Sequence, residues 1–364
     1  MPVDAPDVLI DRTTPVFVAL SGGVDSAVAA HLLRKQYGNL TGISHRHWPE
    51  SRCCSTACLD RCAEQCATLG IPYVAVDCIV EFAQQIVDDF VAGYERGITP
   101  NPCVLCNETI RFGLMVDKHF RDSDDSPPAD YKIATGHYAR VEERNGRFHL
   151  MRGRDAARDQ SYMLYRLSQE ELSHCRFPLG DLLKTEVRTL AQKWNLQAAK
   201  VADSQDVCFV ADRYQDFIAQ YSDNVQVPGP FVDAEGHPMG EHQGIAYYTR
   251  GQRSGLGLHG GPWYVLRTDA ATNTITLGRR DDLFETAFEV QQLRWVYPEV
   301  DEMVVDLQSR YRGVEQACRF TRAGDDVLRV ELEAPSADIT PGQSAVFYLG
   351  DDVVGGGIIT RIGS

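Results

Sequence analysis

The sequence predicts an α/β protein: a doubly wound parallel sheet, then a small, mostly β central domain, then a C-terminal β-barrel. Three observations carry this. An apolar run at 16–20 ends abruptly in S-G-G-V-D-S at 21–26 and gives way to a helical pattern. Short apolar runs then alternate with helix-length segments, the signature of parallel strands joined by crossover helices. From about residue 221 the texture changes to strand-length runs punctuated by Gly and Pro turns, as in 227–231, 233–236 and 251–261. The expected divisions are 1–218, 219–285 and 286–364.

The 364 residues, 43% apolar and 24% charged, suffice for two or three domains with ample cores. No stretch approaches the roughly twenty apolar residues of a membrane span. The first fourteen residues carry Asp4, Asp7 and Asp11 with no apolar run, so neither signal nor transit peptide is expected, and the expected location is cytoplasmic with no membrane partner. A formal charge of −15 argues against nonspecific nucleic-acid binding but leaves room for a local basic face. Two runs offer one: Arg140, Arg144, Arg147, Arg152, Arg154 and Arg158, then Arg310, Arg312, Arg319 and Arg322. Each reads equally well as a solvated face. Eleven cysteines, an odd number, read as thiols rather than a disulfide framework.

The β-branched run at 16–20 suits a strand buried on both faces. Gly22 and Gly23 let bare backbone approach a ligand, and Ser21 and Ser26 add hydroxyls. Val24, Val28, Leu32 and Leu33 recur at helical spacing, so the loop opens onto a positive helix N-terminus, an anion cradle. Asp25 stands where a carboxylate could hold Mg²⁺ against phosphates. An ordinary Gly-rich turn with a Ser cap is the plainer alternative. Neither G-x-x-x-x-G-K-S/T nor G-x-G-x-x-G is present here.

A second strand is expected at 40–44 and a third at 71–76, with a helix at about 55–69 between them. Ligands bind at the carboxyl ends of such strands, which puts 20–26 and His45 on one rim. Cys54, Cys58, Cys62 and Cys66 recur every four residues along one helix face. Thiols so stacked cannot all converge on one tetrahedral ion, so they read as core packing. A helix at 81–94 carries Phe82, Ile86, Phe90 and Tyr94 as its buried stripe. Pro100 and Pro102 then force a rigid loop that presents Cys103 and Cys106 just before a helix at 108–120. A thiol at a helix N-terminus is favoured as thiolate. A strand at 131–135 ends in Gly136-His137-Tyr138 at another rim position, an amphipathic helix follows at 184–194, and Cys208 lies alone in a polar loop.

Eight stretches in order carry a family resemblance: S-G-G-V-D-S at Ser21, T-P-N-P-C-V-L-C-N at Thr99, A-T-G-H-Y at Ala134, R-D-Q-S-Y at Arg158, D-S-Q-D-V-C-F at Asp203, G-E-H-Q-G at Gly240, G-Q-R-S-G-L-G at Gly251 and T-P-G-Q-S-A-V-F-Y at Thr340. Spanning 16–357, they resemble the tRNA-specific 2-thiouridylases of the pyrophosphate-loop ATP pyrophosphatase superfamily. The loop alone would also admit other ATP-dependent ligases of that superfamily. The resemblance implies ATP- and Mg²⁺-dependent adenylation of uracil O2 at the wobble uridine of glutamate, glutamine and lysine tRNAs. Sulfur then arrives from a cysteine persulfide fed by a cysteine desulfurase or relay protein. It implies that Cys208 carries the persulfide, that Cys106 is the nucleophile that releases it, and that the two end as a disulfide. It assigns ATP to Ala19, Leu20, Ser21, Gly22, Gly23, Val24, Asp25, Ser26, His45 and Gly136, and the target base, flipped from its stack, to Asn101, Pro102 and Cys103. It assigns tRNA to His137, Arg158, Asp159, Gln160, Arg310, Tyr311 and Gln343. Three positions depart from the pattern: Cys103 stands where some members carry aspartate, His45 where an apolar residue is common, and Arg158 where lysine is usual. Cys103, Cys106 and Cys208 would also supply three thiolates to a 4Fe-4S cluster, a rival route for the sulfur.

Overall fold

The computed structural model describes residues 11–49, 55–200 and 207–363. The chain forms two compact units. One takes the chain up to Ala83 together with Cys103–Phe209 and Asp351–Val353; the other takes Gln84–Pro102, Val210–Gly350 and Val354–Ser364.

In the first unit β1 (Val16–Ala19) runs parallel to β2 (Leu40–Arg46) on one side and to β4 (Lys132–Ala134) on the other. Beyond them lie β3 (Tyr73–Asp77) and β7 (Cys175–Arg176), both parallel, in the order β3-β2-β1-β4-β7. The sheet is thus the doubly wound one expected, and its order reverses between β1 and β4, where ligands bind in this architecture. Helix α1 (Val24–Arg34) buries Val24, Ala27, Val28, Ala29, Ala30 and Leu33. Helix α2 (Thr56–Leu69) ends on Gly70, whose left-handed φ of 63° closes the last turn. The hairpin β5 (Ala139–Arg144) and β6 (Arg147–Arg152) completes the unit, with Met151 paired to Asp352.

The cysteine ladder is core. Cys58, Cys62 and Cys66 are at most 1% exposed and pack with Val16, Val18, Leu20 and Leu33. Cys54 lies outside the described residues. Glycine at position 42 of β2 makes room for the ladder, since a Cβ there would stand 2.3 Å from the Cys66 sulfur.

Two helical expectations need revision. The helix at 81–94 is a continuous run from Ile79 to Glu95 with a wider π turn at Ala83–Val87, and its stripe of Phe82, Ile86, Phe90 and Tyr94 is buried as expected. The rigid loop through Cys106 is helical from Pro102 onward. Pro102 takes the first helical position, where a missing N–H costs nothing, and only Pro100 must stay outside. Cys103 therefore sits in the first turn and Cys106 at the junction with a π-helical stretch, Asn107–Phe112.

In the second unit, β8 (Gly229–Val232), β9 (Pro238–His242), β10 (Tyr264–Asp269) and β11 (Thr274–Gly278) form a sheet ordered β10-β11-β8-β9 around Phe231, Val265, Ile275 and Leu277. The strands β12 (Glu285–Trp295), β13 (Glu302–Gln308), β14 (Gln316–Gly324), β15 (Val327–Ser336), β16 (Ser344–Leu349) and β17 (Asp352–Ile362) pair in the order β12-β15-β14-β13-β16-β17. Pairing of β12 with β17 closes a six-stranded barrel. Its core is Phe288, Val290, Phe320, Val330, Phe347 and Ile359, all fully buried.

Gly42→Ala should cost about 1–3 kcal/mol by forcing Cys66 aside, lowering Tm by several degrees in a thermal melt. Cys66→Ala in the same chain should recover most of the loss. An unchanged Tm in Gly42→Ala would contradict this packing.

Candidate active site

The loop 20–26 is fixed from behind. Leu20 donates its N–H to the Ile43 carbonyl at 2.8 Å, and Ser44 Oγ donates to the Leu20 carbonyl at 2.8 Å. The Cys58 thiol donates to the Ser21 carbonyl at 3.0 Å. Ser26 Oγ accepts from the Ser21 N–H at 3.2 Å and donates to the Gly23 carbonyl at 3.1 Å. Gly22 has φ of 68°, and a Cβ on it would stand 2.8 Å from the Cys58 sulfur, so only glycine meets both demands. These supports hold the loop at the carboxyl end of β1 while α1 begins at Val24, whose first-turn amides have no acceptor within the helix. Gly136 follows β4, and a Cβ there would come within 2.8 Å of the Asp25 and Ser26 backbone. Its missing side chain thus admits the loop itself to the switch point.

Asp25 is not an isolated metal ligand. Lys184 Nζ donates to both of its oxygens, at 2.8 and 2.7 Å, and Tyr138 Oη donates to Oδ1 at 2.8 Å. Lys184 is 7% exposed, and its backbone N–H donates to Asp155 Oδ2 at 2.8 Å. Asp25 offers the oxygen donor that Mg²⁺ takes, but a metal on this carboxylate shares it with an ammonium already in place. Sequence reasoning missed Lys184 and Tyr138 as site residues. A signal existed: Lys184 opens a helix, Lys184–Lys193, where the dipole disfavours a cation unless an anion pairs with it.

His45 is half-buried at the end of β2. Burial first, then the neighbouring His47 and Arg111, hold its imidazole well below the usual pKa, so it stays neutral and suits a face-on contact with a base rather than a phosphate grip. The next buried histidine, His47, went unnoticed in the sequence; its Nε2 lies 3.4 Å from Cys208 Sγ.

All nine described cysteines are thiols. Cys106 and Cys208 are half-buried and Cys103 is exposed. The turn after Cys106 is anchored by Asn107, which donates from Nδ2 to the Met163 carbonyl at 3.0 Å and accepts from Arg111 at 2.6 Å. Among the described residues, the one group of three ligand atoms close enough for an ion is Asp233, Glu235 and His237; Cys103, Cys106 and Cys208 form no such group.

The residues expected to hold tRNA fall apart by environment. His137 is 9% exposed, bonded to Thr135 Oγ1 at 2.7 Å, and burial together with Arg111 pushes its pKa to about 3. A buried, neutral ring is no phosphate grip. Asp159 organises its own loop, accepting from Gly153 N and Ser161 N, and Gln160 Oε1 accepts from Tyr138 N at 3.1 Å. The basic run around them is largely consumed internally: Arg140 pairs with Asp351, Arg144 with Glu142 and Asp352, Arg154 with Glu186. In the second run Arg310 pairs with Asp338, Arg319 with Glu302 and Arg322 with Glu299 and Asp301. These pairs are mostly exposed and contribute little, so an incoming phosphate could exchange for the carboxylate. Gln343 is placed differently: its Nε2 donates to the Thr99 carbonyl at 2.8 Å. Gly342, with φ of 91°, allows Thr99 to bond to Pro341. Gln343 thus braces the strap leading to Asn101 and Pro102.

A cavity of about 640 Å³ is lined by Phe112, Asp117, Tyr131, Glu170 and His174. It contains none of the residues above. Among the described residues no helix is long and apolar enough to cross a membrane.

A fixed anion loop at a switch point, a buried lysine on its carboxylate and two thiols in the same unit define a pyrophosphate-loop enzyme that activates its substrate with ATP. Residues 14–212 match the tRNA methyl transferase HUP domain, 215–279 the tRNA methyl transferase PRC-barrel domain and 285–359 the Aminomethyltransferase beta-barrel domain. A tRNA-specific 2-thiouridylase MnmA from Acidithiobacillus ferrooxidans is 40% identical over 349 residues, 94% of this chain and 97% of its own. That of Lachnoclostridium phytofermentans is 39% identical over 360 residues, 95% of this chain and 99% of its own. A solved U34-tRNA thiolase NcsA from Methanococcus maripaludis with its 4Fe-4S cluster aligns with 61% of this chain and 68% of its own at 22% identity and a TM-score of 0.35, too remote to transfer any feature. The chain belongs to the tRNA-specific 2-thiouridylase family and is an ATP-dependent tRNA-uridine 2-sulfurtransferase that forms 2-thiouridine.

Lys184→Met would leave the Asp25 carboxylate facing the incoming triphosphate uncompensated. By calorimetry, ATP affinity should fall at least about tenfold, since bonds between charged groups are worth ~1.5–3 kcal/mol, and Tyr138→Phe should cost less. Wild-type affinity in Lys184→Met would remove the lysine from the site.

Proposed function

We propose that ATP lies across the loop 19–26 with His45 against its adenine and Gly136 beside it, and that it adenylates the C2 oxygen of a wobble uridine flipped to Asn101, Pro102 and Cys103. Adenylation turns a poor leaving oxygen into AMP. Mg²⁺ bound with the phosphates would neutralise part of their charge, and Asp25 would be the protein carboxylate that holds it. Lys184, on that carboxylate, keeps the loop from repelling the nucleotide.

Cys208 carries the sulfur as a persulfide, whose outer sulfur attacks the activated C2 and displaces AMP. Cys106 attacks the Cys208 sulfur, releasing the outer sulfur and leaving a Cys106–Cys208 disulfide that a reductant must reopen. Cys103 stands in the first turn beside the base, so its thiol cannot supply the carboxylate base some relatives carry. Arg158, Arg310, Tyr311 and Gln343 belong to the tRNA surface, with Asp159 and Gln160 shaping it. The sulfur donor is a cysteine desulfurase or a relay protein, the tRNAs are those for glutamate, glutamine and lysine, and the enzyme works in the cytoplasm, on domains divided at 1–218, 219–285 and 286–364.

The observation that carries this reading is that the braced loop and both half-buried thiols belong to one compact unit. The test is sulfur incorporation into an unmodified glutamate tRNA transcript with ATP and a cysteine desulfurase. Iron-free protein should be active, and Cys208→Ser and Cys106→Ser should each abolish turnover. Activity only after anaerobic reconstitution with iron and sulfide would replace the persulfide route with a cluster. Full turnover in the doubly substituted chain would leave an amide or C–N ligase of the same superfamily.

A further inference from the structure

His47 follows the last residue of β2 and is 3% exposed. Its Nε2 stands 3.4 Å from Cys208 Sγ, and its Nδ1 stands 3.3 Å from the His45 carbonyl. A carbonyl can only accept, so Nδ1 carries the hydrogen of the neutral ring, and Nε2 turns its lone pair toward the thiol. The tautomer is thus set by backbone. Aromatic contacts fix both partners: the His47 ring lies 4.8 Å from Phe82, and Phe82 lies 5.5 Å from Phe209, the residue after Cys208. Trp48 closes the cluster, 6.4 Å from each phenylalanine.

We infer that His47 is a catalytic residue of the sulfur-loading step, the base that converts the Cys208 thiol to the thiolate that accepts sulfane sulfur. This rests on Cys208 being the persulfide carrier. His47 Nε2 takes the Cys208 proton, and Sγ⁻ attacks the outer sulfur of a hydropersulfide R–S–SH. The new Sγ–S bond forms as the donor S–S bond breaks. Its electron pair leaves on R–S⁻, which takes the proton from the imidazolium. The sum is Cys208–SH + R–S–SH → Cys208–S–SH + R–SH, with no further oxidant or reductant. As imidazolium, His47 donates from Nε2 to the thiolate until the leaving R–S⁻ takes that proton, while Nδ1 stays on the His45 carbonyl.

The groups around the pair fit this role. His45, two residues earlier in β2, is held neutral, and its ring is 4.7 Å from that of His47. Arg111, from the Asn107–Phe112 stretch, is a fixed cation acting on His45, and Phe82 contributes an apolar wall to His47. The imidazolium of His47 is itself the cation that favours the thiolate of an ion pair, and apolar walls keep water from competing for its proton.

The test is the pH dependence of iodoacetamide alkylation at Cys208 in the full chain, followed by peptide mass spectrometry. In the native chain Cys208 should alkylate at pH 6.5 within a few-fold of its rate at pH 8.5. In His47→Gln the rate at pH 6.5 should fall at least about tenfold and climb with pH like an ordinary thiol of pKa ~8.5, meeting the native rate above pH 9. His47→Asn, a smaller side chain for the same space, should behave alike. Superimposed profiles for the native chain and a folded variant would overturn the assignment. Cys208→Ser separates the two readings. If it still thiolates tRNA, the carrier role falls and the role of His47 with it. If it is inactive while His47→Gln keeps the native profile, the role of His47 alone falls.

Discussion

A loop that must offer bare backbone to a polyphosphate can spare few of its own side chains, so it is held largely from behind. The Ile43 carbonyl and Ser44 hold it from the sheet and the Cys58 thiol from helix α2, while within the loop Ser26 Oγ ties the Ser21 N–H to the Gly23 carbonyl. That constraint reaches outward. It demands glycine at position 22, over Cys58, and at position 136, against the loop backbone. It gives the cysteine ladder a structural purpose, since small apolar side chains with a weak donor suit the space beneath a glycine loop.

Electrostatics completes the site. A carboxylate in the first turn of α1 is favoured by the helix dipole, yet an anion at the mouth of an anion site works against its ligand. Lys184 resolves the conflict by bonding both oxygens of Asp25 from the start of another helix. The pair is partly buried, so it is screened less than the surface pairs of the two arginine runs. The thiols are governed by placement as well: Cys106 by the turn that Asn107 anchors, Cys208 by an aromatic cluster and His47.

The fold was legible because its signals are local. The run at 16–20, the glycine loop and the every-fourth-residue stripes of 58–66 and 82–94 each carry their own periodicity. The helix at Pro102 was misread because a proline that breaks an interior turn is welcome at the first position, and the position could not be fixed without the cap. The pairs Asp25–Lys184 and His47–Cys208 were invisible for another reason: they join residues 159 and 161 positions apart. No local pattern encodes such contacts. Charge counting met the same limit, since the arginines of 140–154 meet carboxylates as remote as Asp351 and Asp352.

The central claim is that ATP activates the uracil C2 oxygen before sulfur replaces it. A tRNA transcript carrying ¹⁸O at C2 of the wobble uridine tests it in one turnover, by mass spectrometry of the AMP released. The account predicts one ¹⁸O in each AMP and none left in the thiolated base. Unlabelled AMP from a reaction that still yields 2-thiouridine would contradict it, because the oxygen would then have left without ever bonding to phosphorus.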